Sequence, residues 1–148
     1  MLVQQILKSK QQNDVGAEVV TITPESAVSE AARLLSERRI GALVVSTDGK
    51  AVSGIISERD IVRELGRRGL ECLDEAVGDL MTRKISHCSP EEKADQVLAR
   101  MTAGRFRHMP VLQDGQMVGL ISIGDVVKAR LDELAMEQES LREMIMGR

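Results

Sequence analysis

Aromatic side chains are almost missing: among 148 residues there is one Phe and no Tyr or Trp. Their scarcity excludes a surface that stacks nucleic-acid bases on aromatic platforms and leaves the core to aliphatic residues. A basic surplus is missing too. Twenty Lys and Arg stand against 23 Asp and Glu, a net charge of -3, so no general binding to a phosphate backbone is expected. Cys72 and Cys88 form no Cys-x-x-Cys pair, and His87 and His108 are the only histidines. No zinc set follows, and both thiols are expected free in a reducing compartment. No apolar run approaches the ~18 residues of a membrane span. The first eight residues, Met1 to Lys8, lack the basic segment and long apolar stretch of a secretory leader. A cytoplasmic protein that touches neither nucleic acid nor membrane is expected.

What is present is a duplication. Val20-Thr21-Ile22-Thr23-Pro24-Glu25 is answered by Ser86-His87-Cys88-Ser89-Pro90-Glu91, a spacing of 66 residues from Pro24 to Pro90. Gly54-Ile55-Ile56-Ser57-Glu58-Arg59-Asp60 is answered by Gly119-Leu120-Ile121-Ser122-Ile123-Gly124-Asp125, a spacing of 65 from Gly54 to Gly119. The difference falls in intervening turns, where insertions are tolerated. Each copy reads as an extended segment (residues 18–22; 85–88) entering Thr-Pro or Ser-Pro, a helix start with a hydroxyl cap and Pro at the first position. Ser89 and Glu92 fit a capping box. Val28, Ala31, Ala32 and Leu35, then Val97, Leu98 and Met101, fall at helical spacing. Two short strands follow around Asp48-Gly49 (42–46, 52–56) and around Asp114-Gly115 (109–112, 117–121). A second helix begins near Glu58 and near Ile123.

The fold class predicted is α/β (α+β): two β-α-β-β-α units, each too small to bury its apolar face alone, packed sheet to sheet with pseudo-two-fold symmetry. The expected divisions are an N-terminal helix and loop (1–18), the first repeat (19–69), a connector (70–84), the second repeat (85–134) and a helical extension (135–148). Within them, Val3 to Lys8 reads as a short helix and Ser9 to Asp14 as a polar loop. Gly66, Gly69 and Gly78 read as helix ends. Val127, Leu131, Leu134, Gln138, Leu141 and Ile145 form an a/d stripe with one polar interruption, which either pairs with a second chain or folds back on its own domain. Met136, Met144 and Met146 read as adaptable packing, not a cofactor box.

Gly-Ile-Ile-Ser-Glu-Arg-Asp, Gly-Leu-Ile-Ser-Ile-Gly-Asp, Asp79-Leu80-Met81-Thr82 and Arg107-His108-Met109-Pro110-Val111 together resemble the cystathionine β-synthase (CBS) domain family. The chain looks like a stand-alone tandem CBS pair over roughly residues 18 to 134. The resemblance implies a regulatory, non-catalytic module that binds AMP, ATP, NAD or S-adenosylmethionine, acts on an unidentified regulated protein and forms a homodimer of pairs. It also implies two sites, each taking its Asp from one repeat and its base-lining backbone from the other. One combines Ser57, Arg59 and Asp60 with Lys84, Ile85, Arg107 and His108. The other combines Ser122 and Asp125 with Ala17, Val19, Gly41 and Ala42.

The residue chemistry is consistent with that implication. A carboxylate at a strand-to-helix junction suits ribose hydroxyls, and the Ser hydroxyl with the helix N-terminus suits phosphate. The competing reading is that Ser-x-x-Asp is itself a capping box. Arg59, Lys84, Arg107 and His108 place positive charge beside the first site, whereas Gly41 and Ala42 leave the second wider and less basic. No nucleophile or orienting acid accompanies His108 in sequence, so no catalytic set is assigned.

Overall fold

The computed structural model describes residues 1–13 and 19–147. In chain order the elements are α1 (Val3–Asn13), β1 (Thr21–Ile22), α2 (Val28–Arg38), β2 (Ala42–Val45), β3 (Gly54–Ser57), α3 (Glu58–Arg68), a 3₁₀ turn (Gly69–Asp74), α4 (Val77–Leu80), α5 (Ala94–Gly104), β4 (His108–Gln113), β5 (Gln116–Ser122) and α6 (Ile123–Ile145). The first repeat forms a sheet in the order β1-β2-β3, and the second forms the pair β4-β5.

Both hairpins turn where the sequence places them. At the first, Asp48 Oδ1 accepts from the Lys50 and Ala51 amides at 2.8 Å each. At the second, Asp114 and Gly115 both have positive φ, 53° and 78°, the primed turn that matches strand twist.

Strand alternation sorts the side chains. Leu43, Val45 and Ile56 point into a first core with Val28, Ala31 and Leu35 of α2. Ala42, Val44 and Ile55 occupy the other face of the same sheet, yet they too are buried, as sheet-to-sheet packing requires. Met109, Val111 and Ile121 enter a second core with Val97, Met101 and Val126. The Met117 amide donates to the Lys50 carbonyl at 2.8 Å, joining β5 to the turn of the first hairpin.

The short helices are exchanged between the halves' neighbours in sequence. Val77 and Leu80 of α4 fill the first core, while Val3 and Ile6 of α1 fill the second. The contacts repeat across the pseudo-two-fold axis. Val77 N–H donates to the Ser26 carbonyl at 2.8 Å and Val3 N–H to that of Glu92 at 2.9 Å; Gly78 N–H donates to Pro24 and Gln4 N–H to Pro90, both at 2.9 Å.

This exchange explains where the local sequence signals mislead. The helices after Thr23-Pro24 and Ser89-Pro90 begin four residues beyond the prolines, at Val28 and Ala94, and their preceding residues Ala27 and Lys93 make no side-chain cap. The first helical amides, of Val28 and Ala94, donate instead to the carbonyls of Glu75 and Met1, each at 2.9 Å. Ser89 and Glu92 do bond, the Ser89 amide donating to Glu92 Oε2 at 2.6 Å, but they close a turn, not a helix.

Other local expectations are corrected as well. Ser9 to Asn13 continue α1 rather than forming a loop, and Asp14 lies outside the described residues. The extended segment 18–22 narrows to Thr21–Ile22, and Glu18 is outside the described residues; 85–88 narrows to one parallel bridge, Cys88 to Val111. Gly69 does end α3, with φ 77°, but Gly66 lies inside that helix. Gly78 lies inside α4, where a Cβ would sit 3.2 Å from the Pro24 carbonyl oxygen.

Beyond Ala129 the long helix α6 leaves the second core. Leu131, Leu134 and Ile145 are 61%, 49% and 77% exposed, so within the chain the a/d stripe does not fold back.

Candidate functional site

Each second hairpin strand runs straight into a helix through a serine. Ser57 caps α3: its Oγ accepts from the Asp60 amide at 3.3 Å, and Asp60 Oδ2 accepts in return from the Ser57 amide at 2.9 Å and its hydroxyl at 3.0 Å. Ser122 and Asp125 repeat the reciprocal arrangement on α6, at 3.1 and 2.8 Å. The capping box is therefore real in both copies. It also aims each carboxylate, because one oxygen of the N3 residue, Oδ2, is held by the serine amide at the first helical turn.

Asp60 is 6% exposed. Its other oxygen accepts from Arg63 Nη2 at 2.9 Å and from the Thr82 hydroxyl at 3.3 Å. Around it opens a cavity of about 540 Å³ between the repeats. One wall is Gly41, Ile55 and the α3 start with Ser57, Glu58, Arg59, Asp60 and Arg63. The facing wall is Thr82, Ile85 and the turn carrying Gly104, Arg105, Phe106, Arg107 and His108. Four arginines meet two carboxylates there.

Asp125 lies at a smaller cavity of about 210 Å³, bounded by α1 and α6 with Met1, Ile6, Ser9, Lys10, Lys128, Ala129 and Asp132. Lys10 Nζ donates to Asp125 Oδ2 and to the Leu120 carbonyl, each at 2.9 Å. Burial pushes the Asp125 carboxyl up, but the Ser122 amide and the Lys10 ammonium outweigh it and hold the group below the ordinary carboxylate range. His108 is shifted the other way for a base: burial leads, with Lys10 and Arg107 adding to it against Asp125 and Glu58, so its pKa falls below the usual imidazole value. Its surroundings favour the neutral ring.

Of the residues the resemblance assigns to the Asp60 site, Ser57, Arg59, Asp60, Ile85, Arg107 and His108 line one cavity; Lys84 is exposed and does not. Of those assigned to the Asp125 site, Gly41 lines the Asp60 cavity instead, a Cβ there standing 3.6 Å from His108 Cε1. Ala42 is buried within β2, Val19 is half-buried before β1, and Ser122 caps α6 without lining the smaller cavity. Ala17 lies outside the described residues. Residues that sequence reasoning missed are Arg63, Thr82 and Phe106. Arg63 follows Asp60 at i+3 on a helix, a legible pairing, and Phe106 is the lone aromatic; Thr82 stands in the Asp79-Leu80-Met81-Thr82 motif, but nothing local gives it a place at Asp60.

Among the described residues no group of three or more His, Cys, Asp and Glu is placed to hold a metal ion. No described helix is long and apolar enough to cross a membrane.

Comparison with known proteins places the fold. The mitochondrial CBS domain-containing protein CBSX3 of Arabidopsis thaliana is 36% identical over 146 residues, covering 96% of this chain and 70% of its own length. The crystal structure of a CBS-domain containing protein from Agrobacterium tumefaciens superposes with a TM-score of 0.80 at 41% identity, covering 88% of this chain and 99% of that one. A CBS domain pair solved with 5′-methylthioadenosine and S-adenosyl-L-methionine is 22% identical with a TM-score of 0.75, over 90% of this chain and 98% of its own. CBS pairs are, as a class, ligand-sensing regulatory modules and typically not catalysts. The family model for the CBS domain matches twice, over residues 14–67 and 77–132, and the chain belongs to the CBS domain family as a tandem pair.

Proposed function

We propose that the chain is a regulatory module that binds an adenine nucleotide of the AMP, ATP or NAD class in the cavity at Asp60 and signals through a change in the pair or its homodimer. The observation that carries the reading is that cavity itself, with a capped carboxylate on one repeat facing Phe106, Arg107 and His108 on the other. In this reading the ribose hydroxyls take the place of Thr82 and Arg63 on Asp60, the base lies against Ile55, Ile85 and Phe106, and the arginines receive phosphate. The relative that holds S-adenosylmethionine and methylthioadenosine supports an adenosine ligand. The arginine excess here favours anionic phosphates over a cationic sulfonium. Because the ligand touches both repeats, its differential affinity for two arrangements of the pair supplies the signal.

Calorimetry with AMP, ATP, NAD and S-adenosylmethionine on protein cleared of carried-over ligand tests the reading. Phosphate-bearing ligands are expected to bind more tightly than S-adenosylmethionine, and Asp60→Ala to abolish the binding. If folded protein binds none of the four, the proposal fails.

A second reading is a protein-interaction module with vestigial pockets, and the exposed stripe on α6 favours it. A partner retained in affinity capture with equal strength with and without nucleotide identifies that case.

A further inference from the structure

The symmetry that relates α4 to α1 extends to the residues around the two aspartates, and there it breaks. After Leu80 the first-half chain leaves its helix, so that Thr82 N–H donates to the Ile55 carbonyl at 2.8 Å while the Thr82 hydroxyl donates to Asp60. Gly54 and Gly119 are repeat mates, so Ile55 corresponds to Leu120, and Asp60 to Asp125. In the second half α1 remains helical through these positions, and no backbone reaches Leu120 in the same way among the described residues. Lys10 does both tasks with one ammonium, donating to the Leu120 carbonyl and to Asp125 at 2.9 Å.

The substitution changes what a ligand must displace. At Asp60 the cross-repeat donor is a hydroxyl at 3.3 Å, and the ion pair, also at 2.9 Å, comes from Arg63 on the same helix, whose side chain is 58% exposed and can turn into solvent. At Asp125 the donor is a cation at 2.9 Å, with lysine and aspartate side chains only 31% and 24% exposed. Lys10 is in addition anchored twice, at Asp125 and at the Leu120 carbonyl, so it has less freedom to turn away than the half-exposed Arg63. A ribose approaching Asp125 must also strip Lys10 from Leu120.

We infer that Lys10 is a specificity-determining residue that chooses between the two carboxylates, locking Asp125 against nucleotide so that the chain takes one ligand, at Asp60. The inference rests on the ribose role proposed above for these aspartates. It makes the Lys10 side chain the group that must leave for a second ligand to enter.

The experiment is a calorimetric titration of the full chain with AMP, in wild type, Lys10→Ala, Lys10→Gln, Asp60→Ala and Lys10→Ala/Asp125→Ala. Wild type is expected to bind one AMP, lost in Asp60→Ala. Lys10→Ala is expected to bind two, the second lost in the double variant, and Lys10→Gln to fall between. Two equal sites in wild type, an unchanged count in Lys10→Ala, or a loss of binding in that variant would each overturn the assignment. If wild type binds no AMP, the nucleotide reading falls, and hydrogen exchange then decides on the lock alone. Asp125→Asn is expected to speed exchange of the amides of residues 10–13 by roughly tenfold, since a contact holding a helix end sets its local opening. Unaltered exchange would show that no lock exists.

Discussion

Gly41 faces His108 across the cleft between the repeats, so close that a methyl on Gly41 stands 3.6 Å from the imidazole carbon Cε1 and 3.7 Å from Nε2. The Gly41 carbonyl meanwhile accepts from the Glu58 amide at 3.0 Å, which ties this residue to the α3 start. An alanine fits in ordinary contact, but a branched side chain projects into the cavity. Gly41→Leu is therefore expected to leave the melting temperature within a few degrees and to weaken nucleotide binding at least tenfold, measured by calorimetry. Unchanged affinity in the folded variant means the ligand lies elsewhere.

Asp60 holds four donors from inside a buried site. Asp60→Ala removes the cap and leaves these groups short of a partner, at a cost of about 2–3 kcal/mol. Asp125→Ala frees Lys10 at a more exposed position and is expected to cost less, about 1 kcal/mol. Urea denaturation of both variants reads the difference, and equal losses contradict the burial argument.

Gly54 and Gly119 are repeat mates with unlike neighbours. A Cβ at Gly54 meets the Thr82 carbonyl oxygen at 2.7 Å, part of backbone paired to Ile55; at Gly119 it meets Leu7 Cδ2 at 2.6 Å, the end of a side chain that can turn away. Gly54→Ala is expected to destabilise by about 1–3 kcal/mol and Gly119→Ala by distinctly less. Denaturation midpoints in the reverse order refute this account.

The His108 shift gives a pH dependence with a definite sign. A histidine whose folded pKa lies below its unfolded value contributes stability above the unfolded pKa and loses it as pH falls through the window between the two. That window lies below the ordinary value of 6.5. Stability is expected to drop from pH 7 toward pH 5, and His108→Asn to flatten part of that slope. Phosphate beside the ring favours its protonated form, so AMP affinity is expected to rise as pH falls from 8 toward 6, and a pH-independent affinity removes His108 from the phosphate's surroundings.

Much of this was legible in the chain because the signals are local and duplicated. Asp-Gly turns, the Ser-x-x-Asp boxes and the α3 and α6 starts depend on residues within four positions of one another, and all appear where the sequence puts them. The starts of α2 and α5 were not legible, because Val28 and Ala94 find their carbonyl partners in Glu75 and Met1, far away in sequence. The same holds at the site. Ser57, Arg59 and Asp60 share one junction, while Thr82 reaches Asp60 only through the path taken after α4, and Gly41 falls beside His108 only once the two sheets meet.

The stripe on α6 yields a solution test. With Leu131 and Leu134 exposed, pairing of two chains along this helix is the expected cover. Leu131→Glu/Leu134→Glu is expected to shift the light-scattering mass toward one chain with the helical content kept. A wild-type mass of one chain at micromolar concentration rules out the pairing.

The seating of α1 also has a consequence for synthesis. Val3 and Gln4 leave the ribosome well before their partners, because the carbonyls that receive their amides belong to Glu92 and Pro90, and the slot for Val3 and Ile6 is walled by residues as late as Val126 and Ala129. Loop closure over such a distance is slow and comes late. The apolar face of α1, Val3 and Ile6, therefore stays unburied in the nascent chain until Val126 and Ala129 have emerged, so that α1 takes its seat after the far later α6.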